Sequence, residues 1–217
     1  MSSCGDSVAS VQNQELNPSK MEESSSHFDV VAMAASAGGL EAIRTVLRSL
    51  PKDFPCPVVV VQHLDPRHES LMSSILSRGA PLKCKDAEQG ERLLPGVLYM
   101  APANHHLLIN PDMTVCLTQS ELVHFLRPSA DLLFESVAAT FKERAIAVVL
   151  SGTGSDGSMG VRAIKKMGGV VIAQDKAGCS FFGMPGSAIE TGCVDFVSSL
   201  SSIGELLVKL ILNGVES

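Results

Sequence analysis

Short runs rich in valine and isoleucine recur along this chain, each followed by a stretch whose apolar residues fall at helical spacing. The clearest run is Val58-Val59-Val60-Val61-Gln62. Consecutive apolar residues without alternation leave a strand no solvent face, so it must be covered on both sides. The expected strands are Val30–Ala34, Pro57–Gln62, Val97–Ala101, Ala145–Ser151, Val170–Ala173 and Cys193–Val197. The expected helices are Gly39–Ser49, Glu69–Arg78, Ser129–Lys142, Ser158–Met167, Pro185–Thr191 and Ile203–Asn213. Strands alternating with helices in this way predict an α/β fold, a three-layer α/β/α sandwich around a mainly parallel sheet. Leu107–Asn110 and Thr114–Thr118 flank Pro111-Asp112-Met113 and predict an added β-hairpin.

At 217 residues the chain suffices for one such domain. Residues 1–27 are rich in Ser, Asn, Gln and Glu without sustained periodicity and are expected to form a disordered tail. The domain is expected over 28–213. A net charge of −6 gives no electrostatic footprint for nucleic acid or an anionic membrane, and with no Trp and a single Tyr there is little to stack on bases. No apolar run approaches the roughly 20 residues that span a bilayer. The N-terminus, Met1-Ser2-Ser3-Cys4-Gly5-Asp6, lacks the basic and apolar regions of a signal peptide. A cytoplasmic location is expected. The cysteines at 4, 56, 84, 116, 179 and 193 show no CxxC spacing and are expected to be reduced thiols. No Asp, Glu, His or Cys grouping has convincing metal-ligand spacing, and neither a metal nor another cofactor is expected.

In parallel sheets, ligands bind outside the carboxyl ends of the strands. Three polar residues stand there: Ser36 after the first strand, His63 after the second, and Asp156 in Ser151-Gly152-Thr153-Gly154-Ser155-Asp156-Gly157. Serine needs a base to accept its proton during attack, and a carboxylate on the other ring nitrogen fixes the tautomer of that base. The three residues supply these parts in the chain order Ser, His, Asp, unlike that of α/β-hydrolases. Glycine permits φ > 0, so backbone N–H groups in Gly152-Thr153-Gly154 can converge on an oxyanion. Taken singly, each residue has a structural reading: Ser36 a helix cap, His63 a partly buried histidine, Asp156 a turn residue or cap. Gly38-Gly39 after a strand also suits phosphate, but neither GxGxxG nor GxxxxGK[ST] is present. His105-His106 is expected at a pocket wall or on the surface. Gln174-Asp175 suit either the substrate rim or loop anchoring, Ser129 an N-cap, and Pro185 the first position of a helix.

Five stretches carry a resemblance: Ala35-Ser36-Ala37-Gly38-Gly39, Val60-Val61-Gln62-His63, Arg127-Pro128-Ser129-Ala130-Asp131-Leu132-Leu133-Phe134, Gly152-Thr153-Gly154-Ser155-Asp156-Gly157, and Ala173-Gln174-Asp175 through Phe182-Gly183-Met184-Pro185. Together, and in this order, they resemble the catalytic domain of the bacterial chemotaxis protein-glutamate methylesterases, the CheB family. The resemblance implies a serine hydrolase that removes methyl esters from glutamyl side chains of chemoreceptor helices, releasing methanol, and that can deamidate receptor glutamines. It implies Ser36 as nucleophile, His63 as base and Asp156 as orienting carboxylate, with Thr153, Gly154 and Met184 near the oxyanion or substrate. The expected partners are methylated receptor helices and a separate regulatory protein. A catalytically silent binding module of the same signalling system is the competing expectation.

The chain also departs from the family pattern. Typical members carry an N-terminal receiver domain, and the short stretch before the first strand leads to the expectation that this chain has none. Ala37 stands where many members have Thr, as in the subgroup fused to methyltransferase domains. Thr153 stands where Met is frequent, a position whose implied role uses only the backbone N–H. Gly186-Ser187 after Met-Pro are neutral where members often carry a charge.

Overall fold

A computed structural model describes residues 28–63 and 71–213 of the chain. The expected tail over 1–27 and the first two residues of the expected second helix, Glu69 and Ser70, lie outside these residues. The elements run β1 (Val30–Ala35), α1 (Gly39–Arg48), β2 (Val58–Gln62), α2 (Met72–Ser77), β3 (Lys83–Asp86), β4 (Val97–Met100), β5 (His106–Ile109), β6 (Val115–Thr118), α3 (Ala130–Phe141), β7 (Ala145–Val149), α4 (Ser158–Lys166), β8 (Val170–Gln174), α5 (Gly183–Glu190), β9 (Phe196–Ser198) and α6 (Leu200–Asn213).

Seven strands form one parallel sheet in the order β3-β4-β2-β1-β7-β8-β9, and β5 and β6 pair antiparallel as a separate hairpin. The three-layer reading holds. Alternate residues of each central strand feed opposite cores. Val31 and Met33 of β1 join α1, α2 and α6 on one face. Val30 and Ala32 join α3, α4, α5 and the hairpin on the other. A buried valine or isoleucine contributes ~1.5–3 kcal/mol, so these strands, buried on both faces, anchor the fold.

The chain passes from β1 to β2, crosses to β3 at the sheet edge, steps back to β4 between β3 and β2, and then, after the hairpin and α3, enters β7 on the other side of β1. That reversal opens a crevice between the carboxyl ends of β1 and β7, where such sheets place their ligands.

Several elements differ from expectation. β3 was not anticipated: Lys83-Cys84-Lys85-Asp86 is a half-exposed edge strand without an apolar run. β9 begins at Phe196 rather than Cys193, because Gly192 takes a left-handed φ of 71° and Cys193 N–H donates to Thr191 Oγ1. α5 begins at Gly183, so Pro185 is its third residue rather than its first. Its first helical bond runs from Gly186 N–H to Phe182 O, and the missing N–H of proline is harmless in a first turn.

Helices α3 and α4 cross closely because residue 160 is glycine. A Cβ there would lie 2.5 Å from Phe134 Cβ and 3.1 Å from Asp131 O. Overpacking of this kind costs about 1–3 kcal/mol. Gly160→Ala is expected to lower unfolding free energy by about that amount, measured by urea denaturation. A change below about 0.5 kcal/mol would show that the interface relaxes freely.

Candidate active site

Sheet register brings the first two candidates together. Ala35 pairs with Gln62, and beyond this pair His63 N–H donates to Ala35 O at 3.0 Å. On the other side, Ser36 N–H donates to Ser151 O at 2.9 Å, extending the β1–β7 ladder past its last strand pair. Ser36 and His63 are therefore neighbours across adjacent strand ends, about 4.8 Å apart in the hydrogen-bonding direction. The alternation of the pleat assigns both to the face that α3 and α4 cover.

Ser36 does not cap α1. The cap position is Gly38, with φ 75° and no side-chain cap bond. Both glycines have steric reasons to be there. A Cβ at Gly38 would meet Ser151 Oγ at 2.9 Å, and one at Gly39 would meet Gln62 Oε1 at 2.0 Å. Gln62 Nε2 donates to Ser36 O at 2.6 Å and to His63 O at 3.1 Å, tying the two strand ends together.

His63 Nε2 lies 2.8 Å from Asp156 Oδ2, with side-chain exposures of 9% and 1%. A Nε2–H that donates to the carboxylate leaves the lone pair on Nδ1, the tautomer a base needs. Asp156 is neither an ordinary turn residue nor a cap of its own helix, since the α4 cap position is Gly157. Its carboxylate instead sits at the N-terminus of α3. It accepts from Ser129 Oγ at 3.0 Å, Ala130 N–H at 2.6 Å and Asp131 N–H at 3.1 Å. Burial alone would push the Asp156 carboxyl up. The His63 and N–H hydrogen bonds outweigh it and hold the group below its ordinary 3.8.

Supporting residues that sequence reasoning missed complete this arrangement. Asp131, within the Arg127–Phe134 motif, accepts through its Oδ1 from Gly157, Met159 and Gly160 N–H at 2.8–2.9 Å, capping α4. Burial, with the Asp156 charge beside it, raises the Asp131 carboxyl above its ordinary value. His106 is not on the surface or at a pocket wall but fully buried. Its Nδ1 accepts Ser129 N–H and its Nε2–H donates to Glu121 O, both at 3.1 Å. Burial pushes its pKa down, and both ring nitrogens are satisfied in the neutral form. The signal in the sequence was its place directly before Leu107, where the expected strand begins; it is the first residue of β5. Ser129 does cap α3, accepting from Leu132 N–H.

The loop after β7 presents Thr153 and Gly154 on the exposed side, Gly154 with φ 80°. Among the described residues, neither backbone N–H has a hydrogen-bond partner. Met184 occupies a different position from these two. Its N–H is taken by Gly152 O at 2.9 Å and its side chain is buried, with Sδ 2.2 Å from where a Gly152 Cβ would stand. It packs behind the loop and offers no donor to an oxyanion. Gln174 also anchors rather than lining the rim. It is buried, its Oε1 accepts Ser151 N–H at 2.9 Å, and its Nε2 donates to Gly178 O.

A family model described as CheB methylesterase matches residues 31–207. The chain belongs to the CheB methylesterase family. A relative in Leptospira interrogans is 40% identical over 190 residues, covering 88% of this chain and 98% of that protein. A Thermotoga maritima protein-glutamate methylesterase/protein-glutamine glutaminase is 38% identical over 185 residues, covering 84% of this chain and 54% of that protein. The crystal structure of the Thermotoga maritima CheB methylesterase catalytic domain superposes with a TM-score of 0.82 at 37% identity, covering 85% of this chain and 99% of that one. This CheB chain thus matches nearly the whole of one relative and about half of another.

The Asp156 carboxyl is held below 3.8, so as pH falls the unfolded chain binds its proton first. The stability it contributes is present above 3.8 and lost as pH falls through the lower folded value. Asp131, held above its ordinary value, has the opposite slope. The stability gap between wild type and Asp156→Asn is therefore expected to be widest above pH 3.8 and to close below it, read by urea unfolding across that range. A gap independent of pH would contradict the assignment.

Proposed function

We propose that this chain hydrolyses γ-methyl esters of protein glutamyl residues, releasing methanol, and deamidates protein glutamines by the same route. The observation that carries this reading is the 2.8 Å contact between His63 Nε2 and Asp156, beside Ser36 at the adjoining strand end. Residues 28–213 serve as the catalytic unit, acting in the cytoplasm on signalling helices of chemoreceptors. No described helix is long and apolar enough to cross a membrane.

Ser36 Oγ attacks the ester carbonyl while His63 Nδ1 takes its proton. Asp156 stabilises the resulting imidazolium through Nε2–H. The N–H groups of Thr153 and Gly154 hold the oxyanion. The tetrahedral intermediate collapses to an acyl-serine, and His63 returns the proton to the departing methoxide to give methanol. Water then attacks the acyl-serine with His63 again as base, regenerating Ser36 and leaving glutamate. A glutamine substrate follows the same path with ammonia as leaving group.

Methanol release from a methyl-esterified receptor fragment is expected for wild type and to fall about 10⁴–10⁶-fold in Ser36→Ala. Comparable release from both proteins would remove Ser36 as nucleophile. Thr153→Ala, which retains the backbone N–H, is expected to stay within about tenfold of wild type. A loss of about 10³-fold would assign the role to the hydroxyl instead.

A further inference from the structure

Beside His63 lies a cleft of about 170 Å³, walled by Asn104 and Arg127 on its polar side and by Leu122, Phe125 and Leu126 on its apolar side. The apolar wall belongs to a tight turn in which Val123 and Leu126 exchange backbone hydrogen bonds at 3.1 and 2.8 Å. The two residues between them, His124 and Phe125, have φ of 49° and 65°. Turns of this kind favour Asn-Gly, because other side chains resist the left-handed region. Phe125 nevertheless occupies one, and the residue is 93% exposed; Leu122 nearby is 52% exposed.

The base of this loop is fixed. Arg127 Nη1 donates to Gln119 O and Ser120 O at 2.9 and 2.7 Å, and its Nε and Nη2 donate to Asn104 Oδ1 at 3.0 and 2.8 Å. Folding gains nothing from an aromatic ring in water at a position where Asn or Gly would be less strained. The feature makes sense as a contact held ready for a partner.

The chemistry of the site says what that partner is. A glutamyl carbonyl carbon lies only about 4 Å from its own Cα, three single bonds of about 1.5 Å away. An ester that reaches Ser36 therefore brings its backbone down onto the rim, and the cleft that Phe125 walls is shared with His63. On a helical substrate, side chains three and four positions from the ester lie on the same face.

We propose that Phe125 is a docking residue. It covers an apolar side chain of the substrate protein's helix one turn from the modified glutamyl residue, and so decides which esters are cleaved. This rests on the methylesterase reading above. The test uses the full chain and Phe125→Asn, since asparagine tolerates the left-handed conformation and keeps the turn. Methanol release is measured against concentration of a methyl-esterified receptor fragment. Labelling of Ser36 by a fluorophosphonate reports the triad without docking. The expected result is a KM raised about tenfold, with kcat and the labelling rate within about twofold of wild type. An unchanged KM overturns the proposal. A parallel fall in kcat and labelling also overturns it, by assigning Phe125 to support of the triad. A wild type that neither releases methanol nor is labelled at Ser36 removes the methylesterase reading, and the docking role with it.

Discussion

Two helix N-termini and two buried carboxylates hold one another in place, and the geometry of the site depends on that exchange. Asp156 ends the loop before α4 yet satisfies the first N–H groups of α3. Asp131, in the first turn of α3, satisfies those of α4. Each helix start presents unpaired donors and partial positive charge, which offsets the penalty of burying a carboxylate. Because the exchange is reciprocal, neither helix can slide without stranding the other's cap. The oxygen that faces His63 is thus fixed by two helices packed across one face of the sheet.

The Ser36 side of the site is fixed by sterics more than by charge. β1 and β7 are adjacent but far apart in sequence, and their ladder continues through Ser36 N–H to Ser151 O. Gln62 crosses from β2 beneath the turn, and only glycine at 39 leaves room for its amide. The β7 loop needs glycine at 152 for the same reason, since Met184 presses on it from one side and Ser36 from the other. Close approach of three strand ends is what allows a serine, a histidine and a carboxylate to share one crevice.

What could be read from the sequence follows from this division. Central strands announce themselves, because burial on both faces demands uninterrupted apolar runs; β1, β2, β7 and β8 lie where Val and Ile cluster. β3 does not, because an edge strand half in water has no such demand. Ser36, His63 and Asp156 were legible as polar residues at strand ends. Asp131 and His106 were not, since their partners lie at the far end of another element. His106 contacts Ser129 and Glu121, and nothing in Ala103-Asn104-His105-His106 encodes that. The partner of Met184 was not legible for a similar reason: its N–H is claimed by Gly152 O, a contact made only once the sheet has formed.

His106 also separates the fixed end of one loop from its tip. The segment between β6 and α3 begins beside the hairpin and ends at Ser129, which carries the Asp156 network. His106 clamps that end through Ser129 N–H and the middle of the segment through Glu121 O. Arg127 closes the remaining part against Asn104. Between these clamps residues 122–126 form the turn, and among the described residues none of their side chains hydrogen-bonds to Ser36, His63 or Asp156. Substitution at the projecting tip leaves Ser129 and Asp156 anchored by the same donors. A fold built this way can vary the exposed tip of the turn while the Asp156 carboxylate and the His63 imidazole keep their places.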